Sequence, residues 1–258
     1  MCRCRQAGGI QRPALRHRAG DHSIHIGLVH ENCRKGRPVG KKLPGDCSMS
    51  ASIKLITAAQ QLDVSLNEQQ ADRLIAYLSL IQKWTKVYNL TAVRDPAEMM
   101  THHLLDSLAV IAPLQHHMEQ GRLLDVGSGA GLPGVVIAIC CPGIAVTCVD
   151  TVAKKATFIK QVALELKLPN LAGLHARVEN IEQPFDLICS RAFASLVDFT
   201  YWSAKALTPT GVWMAMKGKH PVEELAALPP NIEVFHVEQL RVPGLDAERC
   251  VVWMRKNG

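Results

Sequence analysis

The stretch Arg122–Gly134, R-L-L-D-V-G-S-G-A-G-L-P-G, constrains the fold more than any other part of the chain. Leu123 to Val126 read as a short buried strand. Gly127, Gly129, Gly131 and Gly134 then place four glycines within eight residues. Pro133 suits the first turn of a helix, where a missing N–H costs nothing, and Val135 to Ile139 continue as an apolar run. A strand, a glycine turn and a helix N-terminus together form a cradle whose backbone N–H groups can meet a ligand at close range. A βα turn without a ligand gains nothing in packing for the entropy that so many glycines cost.

Glycine spacing alone leaves the ligand open. Gly129, Gly131 and Gly134 fit G-x-G-x-x-G, the dinucleotide fingerprint, whereas Gly127, Gly129 and Gly131 fit G-x-G-x-G. Asp125 weighs on the choice. A carboxylate inside the strand, two residues before the first glycine, repels a pyrophosphate and suits an ammonium or a sulfonium. That favours S-adenosyl-L-methionine over NAD(P). Asp150 closes the next apolar strand, Ile144 to Val149, a little over twenty residues past Gly127. A carboxylate there accepts from ribose hydroxyls, which serves either cofactor; an Asp that merely caps the following helix reads the same way.

At 258 residues the chain can hold one large domain and a small one. No run of 18 apolar residues occurs; the longest candidate, Val135 to Val149, is broken by Pro142 and Gly143. No membrane span is expected. The net charge of +6 is concentrated at one end. Residues 1–48 carry ten Lys/Arg and three Asp/Glu, which leaves 19 basic against 20 acidic residues in the remainder. Nucleic-acid binding therefore needs a local basic patch and cannot be argued from the total. Residues 1–48 show no apolar period and read as a disordered basic tail, with Met49 as the natural start. Cys140, Cys141, Cys148 and Cys189 lie in apolar runs and read as buried thiols in a reducing, cytoplasmic setting; Cys2, Cys4, Cys33 and Cys47 lack zinc-site spacing.

A helical subdomain is expected over 49–118 and a sheet domain over 119–258. Residues 50–61 read as a short helix. Asn67 caps a longer one with Ala71, Leu74, Ile75, Leu78, Ile81 and Thr85 at helical spacing. Asp95-Pro96-Ala97-Glu98 starts another, whose apolar face is Leu104, Leu105, Leu108 and Ile111. His102, His103 and Asp106 ride on it; without a third ligand they suit local hydrogen bonding, or the lining of a cleft, better than a metal. Lys154, Lys155 and Lys160 follow Asp150 on a helix with Phe158, Ile159, Val162, Ala163 and Leu166 as its core face. Strands are expected at Leu171–Ala176, Phe185–Cys189 and Gly211–Met216, with a helix over Leu196–Leu207. Ile232–Leu240 and Cys250–Met254 form a closing hairpin. Alternating strands and helices mean an α/β, doubly wound, mostly parallel sheet. The final antiparallel pair suits the Rossmann-like class I S-adenosylmethionine-dependent methyltransferases. Arg191 falls beyond the carboxyl end of the fourth strand, where functional groups gather in such sheets.

Several stretches carry a resemblance: W-T-K-V-Y-N-L-T-A-V-R-D-P (84–96), H-L-L-D-S (103–107), L-L-D-V-G-S-G-A-G-L-P-G (123–134), S-R-A-F-A-S-L (190–196) and M-K-G (216–218). From about Met49 onward the chain resembles the glucose-inhibited division protein B family, which methylates N7 of a guanine in 16S ribosomal RNA, conventionally numbered 527. The resemblance implies that Gly127 and Leu132 contact the cofactor from the turn; Gly129, Gly131 and Asp125 join them as cofactor-binding residues on the reading of the turn itself. The resemblance also implies Asp150 on the ribose, Val178 and Glu179 beside the adenine, and Arg191 as the catalytic residue between cofactor and RNA. Lys154, Lys155, Arg177, Lys217 and Arg249 are the implied RNA contacts, the small-subunit RNA or the assembled subunit is the implied partner, and no metal is implied. Members of the family often carry a basic residue just before the histidine of H-x-L-D-S, and here that position is His102. A monomer is expected. The readings set against this one are an NAD(P)-dependent oxidoreductase, which needs a pyrophosphate beside Asp125, and a non-catalytic nucleotide-binding module, which would tolerate loss of Asp125 or Asp150; both carboxylates are present.

Overall fold

The computed structural model describes residues 50–257. The expectations for residues 1–48, Met49, Cys2, Cys4, Cys33 and Cys47 lie outside the described residues. Helices α1 (Ala51–Gln60) and α2 (Glu68–Tyr88) come first. Asn67 caps α2 in a reciprocal box: its side chain accepts from the Gln70 N–H, and Gln70 Oε1 accepts from the Asn67 N–H. Gln70 Nε2 also donates to the Ile139 and Cys140 carbonyls, fastening α2 to the end of α6 (Gly134–Cys140).

The helix expected to run unbroken from Pro96 is interrupted. Helix α3 (Pro96–Met99), capped by Asp95, passes into a π-helical turn, Met100–Leu105, before α4 (Asp106–Leu108) and α5 (Ile111–His117). Such insertions of wider turns into α-helices recur at functional sites.

Seven strands follow: β1 (Gly121–Val126), β2 (Ile144–Asp150), β3 (Leu171–His175), β4 (Phe185–Arg191), β5 (Leu207–Lys217), β6 (Ile232–Leu240) and β7 (Arg249–Lys256). Their order is β3-β2-β1-β4-β5-β7-β6. β1 to β5 are parallel, and β7 enters antiparallel between β5 and β6. Four strands run longer than expected: β1 begins at Gly121 rather than Leu123, β4 includes Ser190 and Arg191, β5 begins at Leu207, and β7 spans Arg249–Lys256 rather than Cys250–Met254. The helix expected over Leu196–Leu207 stops as α8 (Leu196–Ser203), because a 3-10 turn at Ala204–Ala206 feeds Leu207 into the sheet. The remaining helices are α7 (Ala153–Glu165) and α9 (Val222–Ala226).

Alternation along β1 divides the core. Leu123 joins the face covered by the helices before β1 and by α6 and α7; Leu124 and Val126 join the opposite face, packed with Phe199 of α8 and Trp213. Both faces are covered, as a parallel sheet requires. The order reverses at β1, flanked by β2 and β4, so a crevice opens beyond the carboxyl ends of β1 and β4.

Candidate active site

Gly127, Gly129 and Gly131 all take positive φ (+66°, +60° and +91°), a region that costs other residues steric energy. At Gly127 there is a second requirement: a Cβ would collide with the Phe193 ring. Several bonds hold the turn. The N–H groups of Gly127 and Ser128 donate to the Val149 carbonyl, 3.0 and 3.2 Å. The Gly129 N–H donates to Asp150 Oδ2, 3.0 Å. From the other side, the buried Tyr77 of α2 donates its hydroxyl to the Ala130 carbonyl, 2.6 Å. The sequence reading misses Tyr77, although it stands three residues after Leu74 and four before Ile81 and so belongs to the same apolar stripe.

Two cavities flank this turn and share Gly127 and Ala192. The first, about 380 Å³, is lined by Asp150, Lys155, Arg177, Val178 and Glu179. The second, about 500 Å³, is lined on its polar side by Thr91, His103, Asp106, Arg191, Lys217 and Arg249, with Gly129 and Leu132 beneath. A larger cavity of about 1050 Å³ lies apart, against Gln115, His116, Cys141 and Gly143, and brings none of the expected residues together.

Asp150 lies at the end of β2 with both oxygens engaged: Oδ2 by Gly129 and by Lys155 at 3.4 Å, and Oδ1 by the Val152 N–H at 2.8 Å. A carboxylate has about four lone-pair sites, so capacity for ribose hydroxyls remains. The helix-entry role and the ribose role are therefore compatible. Arg191, expected past the strand, is its last residue, paired in register with Met216. Its Nη1 donates to Asp106 Oδ2, 2.8 Å, and to the His102 carbonyl, 3.0 Å. Arg249 Nε donates to Asp106 Oδ1, 2.7 Å. Lys217 Nζ donates to Glu224 (2.7 Å) and to the Ala194 carbonyl. Glu224 also accepts from the Leu196 N–H at the start of α8.

Three expected site residues line neither cavity. Asp125 is wholly buried beneath the turn, where its Oδ2 accepts from the Gly134 N–H at 2.9 Å and its Oδ1 has no partner among the described residues. The expected direct contact with a cationic group is thus corrected to support from below, because strand alternation turns this side chain toward α6 rather than to the mouth. Burial pushes its carboxyl up to about 7. Gly131 faces Ile159 and Val135 in the same lower layer. Lys154 extends over the Tyr88 ring, 5.3 Å from its centroid. Cys148 and Cys189, the register neighbours of Asp125, are free thiols raised by burial and therefore unreactive. His103 shares a hydrogen bond with Thr91 Oγ1, 2.9 Å, and burial lowers its pKa, which keeps the ring neutral.

The cradle fits S-adenosyl-L-methionine: three positive-φ glycines, open space over the Gly129 backbone, a carboxylate with spare lone pairs at the end of β2, and two cavities meeting at Gly127. The strand order with its antiparallel β7, together with this cradle at the reversal point, defines a class I, Rossmann-like S-adenosyl-L-methionine-dependent methyltransferase. The model of the family described as rRNA small subunit methyltransferase G (GidB) matches residues 70–252. The chain belongs to that family. It is 72% identical over 202 residues to the ribosomal RNA small subunit methyltransferase G of Polaromonas naphthalenivorans, covering 76% of this chain and 91% of that one. It is 62% identical over 207 residues to the protein of the same name from an Acidovorax species, covering 76% and 92%. Among solved structures, TrmN from Thermus thermophilus is similar at a TM-score of 0.49 and 20% identity, over 58% of this chain and 49% of that one.

Proposed function

We propose that the protein methylates N7 of a guanine in 16S ribosomal RNA, as a monomer in the cytoplasm. The observation that carries this reading is the composition of the larger cleft cavity. It has cationic walls from Arg191, Lys217 and Arg249, a neutral and weakly basic His103, and no carboxylate free of a cationic partner among its lining residues. No proton needs taking: N7 of guanine carries a lone pair and no hydrogen. S-adenosyl-L-methionine, when bound, supplies a methyl group on a positively charged sulfur.

The chain's own contribution is to bind and align. Gly127, Gly129 and Leu132 form the floor, Asp150 takes the ribose, and Val178 and Glu179 border the adenine. Gly131 and Asp125 shape the turn from below. Arg191 stands between cofactor and RNA. Alignment and exclusion of solvent can supply about 7–11 kcal/mol of the barrier. The helical part, 49–118, contributes Thr91, His103 and Asp106 to the RNA side of the cleft, and the sheet part, 119–258, holds the cofactor. Lys154 and Arg177 are exposed and suited to phosphates. Lys155 and Arg249 first bind Asp150 and Asp106 and offer their remaining N–H groups to RNA, whereas Lys217 has its three N–H groups engaged by Glu224 and the Ala194 carbonyl and contributes its charge. An NAD(P) reading is not favoured by the family.

The test is methylation of small subunits and of free 16S RNA from a strain lacking the modification, followed by nucleoside mass spectrometry. Formation of 7-methylguanosine is expected, slowed in Arg191→Ala far more than the loss of its bonds to Asp106 and the His102 carbonyl lowers the folded fraction. Methyl groups on another atom would refute the N7 reading.

A further inference from the structure

Strand β4 reaches α8 through Ala192, Phe193, Ala194 and Ser195. This short bend forms part of the wall at the glycine turn: Ala192 lines both cavities, and Phe193 lines the smaller one with its ring against Gly127. Ala192 takes φ +51°, a left-handed conformation that is uncommon and costly for a residue with a Cβ. Among the described residues, no backbone-to-backbone hydrogen bond outside the strands and helices involves Ala192, Phe193 or Ala194. The bend is therefore held by side chains.

On one side, the Phe193 ring meets Phe199 and Trp202 of α8 edge-on, with centroids 6.4 and 6.0 Å away. On the other, Lys217 Nζ donates to the Ala194 carbonyl, 3.0 Å, and to both oxygens of Glu224, 3.0 and 2.7 Å. Glu224, on α9, also accepts from the Leu196 N–H at 2.7 Å. One ion pair thus grips the bend twice, at Ala194 through the lysine and at Leu196 through the carboxylate. Its side chains are only 18% and 33% exposed. Backbone strain at a functional site persists only where the surroundings over-determine it, and this pair supplies that constraint.

We propose that the Lys217–Glu224 pair is a positioning device for the cofactor, holding the Ala192–Leu196 bend in its left-handed form before S-adenosyl-L-methionine arrives. The proposal rests on the cofactor assigned above and not on which RNA atom is methylated. Without the pair, the free protein relaxes at Ala192 toward negative φ, and binding must restore the left-handed form. The observed affinity then falls by the fraction of molecules that hold the competent form.

The experiment measures S-adenosylhomocysteine affinity by calorimetry, without RNA, at a temperature where every variant is folded. Lys217→Met is expected to weaken it by about five- to thirtyfold, the factor equivalent to the left-handed cost of one alanine. Adding Ala192→Gly is expected to return the affinity to within about threefold of wild type, because glycine takes positive φ about as readily as negative. Glu224→Ala breaks the pair from its other end and, combined with Lys217→Met, adds nothing further to the loss. Paired with Ala192→Gly in the same way, it carries the test if Lys217→Met does not fold. A role in folding alone predicts a lowered Tm with affinity within twofold of wild type, and that result overturns the proposal. So does a loss of affinity that Ala192→Gly leaves in place. If the wild type binds no S-adenosylhomocysteine, the cofactor assignment fails and this proposal with it; if the wild type binds it and the variants bind equally well, only the positioning role fails.

Discussion

The carboxyl of Asp125 shows how one side chain can serve a site without entering it. Burial between two strand neighbours, opposed by the Gly134 N–H, raises its pKa to about 7. The folded protein therefore holds this proton more tightly than the unfolded chain, whose carboxyl titrates at about 4. The stability linked to protonation is complete below about pH 4 and is lost as pH rises through about 7. Asp125→Asn removes that loss, so the Tm of the variant relative to wild type should become more favourable between about pH 5 and pH 8. Paired thermal melts check it, and a pH-independent difference would refute the assignment. Asp150 makes a different kind of contribution, because it touches both the turn and the smaller cavity. Asp150→Ala is expected to weaken S-adenosylhomocysteine binding by about 1–3 kcal/mol, the range for losing a charged hydrogen-bond partner, as read by calorimetry.

At the scale of elements, the glycine turn is held from two directions, by β2 through Asp150 and by α2 through Tyr77. The Tyr77 hydroxyl satisfies the Ala130 carbonyl inside the core, and an acceptor left unpaired there costs about 1–3 kcal/mol. Tyr77→Phe should lower Tm and also weaken cofactor binding, since the same carbonyl belongs to the cradle. A lower Tm with unchanged affinity would show that α2 supports the fold but not the site. Helix α7 carries the exposed Lys154 on its first turn. If that lysine meets an RNA phosphate, Lys154→Ala should flatten the slope of log affinity against log salt by about 0.7–0.9. An unchanged slope in RNA-binding titrations would remove it from the interface.

For the whole molecule, ligand binding to the folded state reports which cofactor the cradle was built for. S-adenosylhomocysteine at about 100 times its Kd should add about 2.7 kcal/mol, or about 5–10 °C in Tm for a domain of this size; NAD at the same concentration should add nothing. Equal shifts from both ligands would reopen the oxidoreductase reading. The strand–turn–helix unit, the caps at Asn67 and Asp95 and the parallel sheet with its closing hairpin were legible in the chain because each is written locally, in glycine density, capping residues and periods of 2 or 3.6. Arg191 and Asp150 were legible too, since strand ends mark where such sheets gather polar groups. Which way Asp125 points was not, because a strand's pattern gives alternation but not which face meets α6. The π-helical turn left no periodic trace over six residues. The meeting of Asp106 with Arg191 and Arg249, 85 and 143 positions away, depends on the sheet order placing β4 and β7 with only β5 between them. Local sequence thus determined the elements and the cradle, while contacts between distant segments, set only when the layers pack, decided which charges face one another across the cleft.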